Sequence, residues 1–224
     1  MTVKMRGLLI TFEGGEGSGK TTQIQILKEW FEKNEKSFNL CFTREPGGTE
    51  GAELIRALLL NGSTGRWQPA TEAMLMSAAR HEHFVHVIQP ALRRGDVVIC
   101  DRFTDSTHVY QGFVNGINDE LLDSLDQLSC QRLMPDLTLL LDIDVEDGLN
   151  RTIKRGSAER RFEAKGEAFH QKVRQGFLAQ ARQASNRIVK IDADRSIGEV
   201  AIDVNVAVKQ LLATHGFETK VLNR

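Results

Sequence analysis

The sequence predicts a three-layer α/β fold, a five-stranded parallel sheet covered by helices on both faces. Three observations lead there. Short β-prone or apolar runs recur at 8–12, 38–43, 97–100, 137–143 and 187–191. The stretches between them carry apolar residues at helical spacing, and each is long enough for a crossover connection between parallel strands. Val97-Val98-Ile99-Cys100 is apolar throughout, as a strand buried on both faces requires.

In chain order, Leu8 to Phe12 is the first strand. Gln23 to Lys33 follows as a helix with Ile24, Leu27 and Phe31 on one side. Phe38 to Thr43 is the second strand; it stops at Arg44-Glu45-Pro46-Gly47-Gly48, because proline gives no N–H to a ladder and paired glycines turn the chain. Thr49 to Leu60 is helical, Asn61 to Pro69 a loop, and Ala70 to Arg94 one long helix ended by Gly95. After the third strand come a helix at Asn118 to Arg132, a strand at Leu137 to Ile143 and a helix at Val145 to Arg155. Glu163 to Ser185 is helical, Arg187 to Ile191 a strand and Ile197 to Leu212 the last helix. No repeat, low-complexity tract or linker interrupts the chain, so one domain over 1–224 is expected, with a lid-like segment at about 151–162.

Between the first strand and its helix lies the most informative stretch, Glu13-Gly14-Gly15-Glu16-Gly17-Ser18-Gly19-Lys20-Thr21-Thr22. Gly14 with Gly19-Lys20-Thr21 fits G-x-x-x-x-G-K-[ST], in the strand–loop–helix setting that gives the match its meaning. Glycines let successive N–H groups turn inward around phosphate oxygens, and the helix N-terminus adds partial positive charge. Lys20 is then placed for the β- and γ-phosphates and the Thr21 hydroxyl for Mg²⁺. The expectation is a P-loop NTPase fold that binds a nucleoside triphosphate through residues 14–22.

Composition narrows the class. The 224 residues carry 29 basic and 30 acidic side chains, a formal net charge of −1, which gives no general basic character for nucleic acid. Cys41, Cys100 and Cys130 are odd in number and scattered, with neither a disulfide framework nor a zinc spacing, and are read as reduced residues. The longest apolar runs fall far short of a membrane span, and Met1 to Gly7 leads into no signal-peptide core. A cytoplasmic protein without membrane partners is expected.

Asp101 ends the third strand, where a carboxylate beside the phosphate loop can hold Mg²⁺ or its water. Arg151 to Phe162 is polar, glycine-containing and rich in arginine. Such a stretch suits a lid, since phosphoryl transfer needs positive charge near the γ-phosphate and exclusion of water, and arginine bridges two phosphate oxygens without ever deprotonating. His81, His83 and His86 share a helix but contain no i,i+4 pair, and are read as structural residues; Met74 and Met76 are read as packing residues.

Taken together these stretches resemble the thymidylate kinase family in its bacterial form. The resemblance covers nearly the whole chain. It is carried by Phe12-Glu13-Gly14 running into the phosphate loop, Thr43-Arg44-Glu45-Pro46-Gly47-Gly48-Thr49, Ala78-Ala79-Arg80, Asp101-Arg102-Phe103 with Ser106, Tyr110-Gln111-Gly112, Pro135-Asp136-Leu137-Thr138, and Arg161-Phe162-Glu163 closing the lid. It implies Mg²⁺-dependent transfer of the ATP γ-phosphoryl group to dTMP, giving dTDP, by a homodimer.

The resemblance further implies roles for single residues. Glu16 receives the 3′-hydroxyl of the monophosphate; Arg44 and Arg102 hold its phosphate, with Ser106 beside them. Arg80 faces the base edge, Thr107 and Gln111 hydrogen-bond the pyrimidine, and Tyr110 crowds C2′ of the sugar. Glu45-Pro46 resembles the family's cis-proline turn. Some members carry an arginine at the position of Gly17; this chain is similar to those whose catalytic arginines sit in the lid, so Arg155 and Arg161 join Lys20 and Arg102 as catalytic candidates and Arg151 stacks on adenine. Two positions depart from the family pattern: Met76 replaces a phenylalanine that stacks on the base, and Gln111-Gly112-Phe113-Val114-Asn115-Gly116 lacks the usual arginine. Both fall near the acceptor pocket. Nearby alternatives are kinases of dUMP, dCMP or a nucleoside. A guanine switch is disfavoured because Asn-Lys-x-Asp is missing, and a transporter-type ATPase because a Ser-Gly-Gly-Gln-like signature is missing.

Overall fold

The structure, a computed structural model, describes residues 7–34, 38–155, 161–162 and 165–217, with the backbone alone at 154 and 155. Five strands, β1 (Leu8–Glu13), β2 (Leu40–Arg44), β3 (Val97–Asp101), β4 (Leu137–Asp142) and β5 (Ile188–Asp192), form one parallel sheet in the order β2-β3-β1-β4-β5. The order reverses around β1, and in open parallel sheets ligands bind beyond the carboxyl ends of strands at such a point. Register brings those ends level: Phe12 and Arg44 both pair with Asp101, and Glu13 pairs with Leu140.

Side-chain alternation sorts β1 between two cores. Leu8, Ile10 and Phe12 join Leu27 and Phe31 of α1 (Lys20–Asn34) and Val200, Val204, Val208 and Leu212 of α9 (Ile197–Thr214) on one face. Leu9, with Val98 and Cys100 of β3, meets Phe84, Ile88 and Leu92 on the other. Farther along that face Leu140 and Ile188 pack on Val109, Tyr110, Val173 and Phe177. The strands that carry most of this burial are the central three; β2 and β5, at the edges, are partly open.

Helix ends follow local chemistry. Thr49 caps α2 (Glu50–Leu60) by accepting from the Ala52 N–H, and Ser196 and Glu199 form a reciprocal capping box on α9. The stretch expected as one helix over Ala70 to Arg94 begins a residue earlier and is in three parts: α3 (Pro69–His83), a π-helical turn at Phe84–Ile88, and α4 (Gln89–Arg94), closed by Gly95 at φ 88°. Pro90 has no N–H for the carbonyl four residues back, and the hydrogen-bond ladder widens just ahead of it.

The region between Arg102 and Asn118, for which no helix is expected from sequence, is helical: α5 (Thr104–Thr107) runs into a π-helical stretch at His108–Val114, before α6 (Asp119–Cys130). A buried polar chain pins it to the sheet. Arg187 holds both oxygens of Asp105 at 2.7 Å, Asp105 accepts from Thr138 at 3.0 Å, and Thr138 meets Thr11 at 2.8 Å. Ser106 and Thr107 thereby acquire fixed positions. The segment expected as a lid begins within α7 (Val145–Arg155) and precedes α8 (Glu167–Gln183); its residues 156–160 lie outside the described ones. Glu163, the expected start of that helix, also lies outside the described residues, and the described helix begins at Glu167.

The candidate active site

A cavity of about 480 Å³ opens beyond the carboxyl ends of β1, β2 and β3. The phosphate loop forms one wall. Gly17 sits at φ 71° with its Cα against α7, so that a Cβ there would lie 1.9 Å from the Gly148 carbonyl oxygen; only glycine permits the approach. Lys20, almost fully buried, donates to the carbonyls of Gly14 at 3.1 Å and Gly15 at 2.9 Å and to Ser18 Oγ at 3.3 Å. Burial, helped by the neighbouring Arg102 charge, pulls its pKa down to about 8. An ammonium so placed gains by meeting phosphate.

Across the loop, Thr21 Oγ1 donates to Asp101 Oδ2 at 3.2 Å. A hydroxyl and a carboxylate are hard oxygen donors, and they sit where the loop's helix begins, so the pair fits Mg²⁺. Among the described residues no cluster of three or more His, Cys, Asp or Glu forms a metal site, and the three histidines of α3 and its π turn are otherwise engaged. His81 faces the Ser129 carbonyl, His83 is buried between Thr43 and Glu45, and His86 lies by Glu82 at the surface. The cysteines are free, with Cys100 and Cys130 buried and Cys41 partly so.

Arg102 organises the centre. It leaves β3 at φ 68°, a left-handed conformation uncommon outside glycine, and its guanidinium reaches back to the Gly14 carbonyl (3.0 Å), Ser106 Oγ (3.1 Å) and Glu16 (2.9 Å) while stacking over Tyr110. Tyr110 also donates to Glu16, at 3.3 Å. Burial works to raise the Glu16 pKa, but Arg102 and Lys20 outweigh it and hold the carboxyl below its ordinary range. Thus Glu16 stands ready as an acceptor.

On the far wall Arg80 is buried and doubly fixed, its Nε donating to Glu45 at 2.8 Å and an Nη to Thr107 Oγ1 at 2.8 Å. Glu45 is itself held by His83, and the Glu45–Pro46 bond is cis. Arg44, Met76, Ser106, Thr107, Tyr110 and Gln111 also line the cavity, as do residues 16–22 of the loop. Arg44 is half exposed and paired with Glu53 at 2.9 Å. The cavity therefore gathers the phosphate loop, Arg44, Arg80 and Arg102 around one space.

The arginines of the segment expected as a lid fall elsewhere. Arg161 is buried and does not reach the phosphate loop: its guanidinium donates to the carbonyls of Leu59, Ser63 and Thr64 and pairs with Glu72 at 2.5 Å. Glu72 balances its charge and the three carbonyls take the place of water, so the guanidinium is engaged away from the phosphate loop. Arg151 donates to the Ala193 carbonyl at 3.3 Å and approaches Asp194. The side chain of Arg155 lies outside the described ones.

Four acidic or polar residues behind the cavity have no site role assigned from sequence. Glu13 is buried and accepts from the N–H groups of Phe103 and Ser106 and from Ser106 Oγ; burial raises its pKa to about 7 against the pull of Arg102. Glu45, Glu72 and His83 make up the rest of the wall behind the cavity. In the sequence Glu13 and Glu45 show only as members of family motifs, His83 as a structural histidine, and Glu72 as a glutamate on the buried side of a helix.

Comparison with known proteins matches this arrangement to one family. A family model described as thymidylate kinase matches residues 12–204. The thymidylate kinase of Caulobacter vibrioides is 46% identical over 207 residues, covering 92% of this chain and 98% of the relative. That of Ruegeria pomeroyi is 46% identical over 209 residues, covering 93% and 96%. The crystal structure of thymidylate kinase from Ehrlichia chaffeensis aligns with TM-score 0.74 at 34% identity, over 90% of this chain and 98% of that one. With the family model, the full-length relatives and the same fold all in agreement, the chain belongs to the thymidylate kinase family.

Proposed function

We infer that this cavity is where the chain carries out its family's reaction, transfer of the ATP γ-phosphoryl group to dTMP with formation of dTDP and ADP. One observation carries the assignment of the site: a phosphate loop faces Arg44, Arg80 and Arg102 across a single cavity large enough for a nucleotide. An oxygen of the dTMP phosphate attacks the γ-phosphorus, the bond to the β,γ-bridging oxygen breaks, and ADP leaves. The attacking group is already anionic, so the protein needs no general base; its work is positioning and charge stabilisation.

Residues 14–22 cradle the triphosphate, with Lys20 on its β- and γ-oxygens. Arg44 and Arg102 present the acceptor phosphate, Glu16 accepts the 3′-hydroxyl, and Tyr110 lies against the sugar. Arg80, Thr107, Gln111 and Met76 surround the base. Thr21 and Asp101 would hold Mg²⁺, which when bound neutralises charge on the donor phosphates. The segment 151–162 acts as a lid on a single domain, with Arg151 at the adenine and Arg155 supplying charge to the transition state. Arg161 contributes from the acceptor side in the conformation described above.

A homodimer in the cytoplasm fits the surface. Leu54 and Leu58 on α2, Met74 on α3, and Leu121 and Leu128 on α6 are exposed apolar residues on neighbouring helices, which a second copy would cover. No helix among the described residues is long and apolar enough to cross a membrane.

A coupled ADP-release assay across dTMP, dUMP, dCMP and nucleosides tests the assignment. dTMP is expected to be the best acceptor, and Lys20→Ala to lower kcat on the order of 100-fold or more without unfolding the protein. Another acceptor outrunning dTMP, or near-normal turnover by the variant, overturns it.

A further inference from the structure

Glu72 lies behind the acceptor side of the cavity, buried to 2% exposure, one and two helical turns before Met76 and Arg80 on the same side of α3. Its two oxygens are separately engaged. One meets the guanidinium of Arg161, and the other accepts from the side-chain amide of Gln111 at 2.8 Å. Gln111 is 1% exposed and lines the cavity.

The orientation of that amide follows from chemistry. A carboxylate paired with a guanidinium accepts hydrogen bonds and has none to give, so Gln111 must turn its NH₂ toward Glu72. Its carbonyl oxygen Oε1 is then the amide atom left for a ligand. One turn earlier, Thr107 accepts from Arg80 and so has its own hydroxyl hydrogen to donate. The wall offers a base one donor and one acceptor, both with fixed sense.

We propose that Glu72 is a positioning residue for pyrimidine selection: by holding the Gln111 amide it presents Oε1 as an acceptor to N3–H of the base, and Arg161 braces it. The inference rests on the reading of this cavity as the dTMP site. Thymine and uracil carry a single hydrogen-bond donor on that edge, N3–H, whereas N3 of cytosine is a lone pair. A cytosine base would set acceptor against acceptor in a dry site, and rejection of that kind is far stronger than a missing contact.

The test measures kcat/KM for dTMP, dUMP and dCMP in the unmodified enzyme and in Glu72→Gln, whose amide can face Gln111 with either end. The dTMP:dCMP ratio should fall at least 30-fold in the variant, chiefly through KM, while the dTMP:dUMP ratio stays within threefold, because those two bases share the edge in question. A structural role would lower all acceptors together, and an unchanged dTMP:dCMP ratio overturns the proposal. Should Glu72→Gln melt too low to assay, Gln111→Leu removes the acceptor itself; a dTMP:dCMP ratio preserved in that variant is equally decisive against it. An unmodified enzyme that uses dCMP as well as dTMP also refutes the proposal but leaves the site assignment standing. One that fails to use dTMP at all overturns the site assignment, and the proposal with it.

Discussion

Three alanine substitutions in the phosphate loop separate backbone strain from steric overlap. A Cβ at Gly15 meets nothing within 4 Å, and that residue is outside the left-handed region. At Gly19 the space is also open, but φ is 89°, so alanine costs about 1 kcal/mol in conformational strain. At Gly17 the same strain, at φ 71°, is joined by a Cβ 1.9 Å from the Gly148 carbonyl oxygen and 2.8 Å from its Cα. Backbone cannot rotate aside as a side chain can, so an overpacking cost of about 2 kcal/mol adds to the strain, roughly 3 kcal/mol in all. For a chain of this size each kcal/mol moves the midpoint by about 2–4 °C. Thermal melts without nucleotide should therefore place Gly15→Ala near the parent, Gly19→Ala about 2–4 °C lower and Gly17→Ala about 6–12 °C lower. A Gly17→Ala protein melting with Gly15→Ala would refute the close contact between loop and α7.

Glu13 holds its proton more firmly in the folded protein, at about 7, than at its ordinary value of 4.5. Folding stability should accordingly fall by about 3 kcal/mol as pH rises through that window; urea denaturation of the parent minus Glu13→Gln isolates the effect, and a difference flat with pH argues against it. Lys20, at about 8 in the unliganded site, should regain its proton when phosphates arrive. Calorimetry in buffers of different ionisation enthalpy should then show uptake of roughly half a proton on ATP binding at pH 8 and almost none at pH 6, and Lys20→Met should abolish it. Asp101→Asn removes the carboxylate beside Thr21 and should raise the Mg²⁺ concentration for half-maximal activity about tenfold. Arg44→Ala should raise KM for dTMP about tenfold with the melting point within 2 °C, because its partner Glu53 is exposed and such pairs add little stability.

What the sequence reveals is what depends on neighbours along the chain. The loop from Gly14 to Thr21, the carboxylate ending β3 and all five strands follow from spacing and apolar runs. Contacts between distant residues do not. Glu45 with Arg80, Glu72 with Arg161, and Glu13 with Ser106 are each joined across 35 to 93 positions, and a glutamate bound for such a partner looks like any surface glutamate. The helix after Arg102 is hidden for a different reason. Thr104-Asp105-Ser106-Thr107 are residues that compete with a helical backbone, and distant partners, Arg187 on Asp105 and Glu13 on Ser106, hold the turn. Arg161 shows the limit of charge reading: an arginine run is solvated by default, yet this one is the most deeply seated of its segment among the described residues.

Arg102 also bears on affinity. Its side chain is already immobilised by a loop carbonyl, a serine and a carboxylate, and it lies against an aromatic face before any substrate enters. Freezing a free arginine costs up to about 2 kcal/mol of rotamer entropy, and here folding has absorbed that loss. An incoming phosphate thus meets a guanidinium whose direction is set in advance, and more of the attraction between them survives as binding.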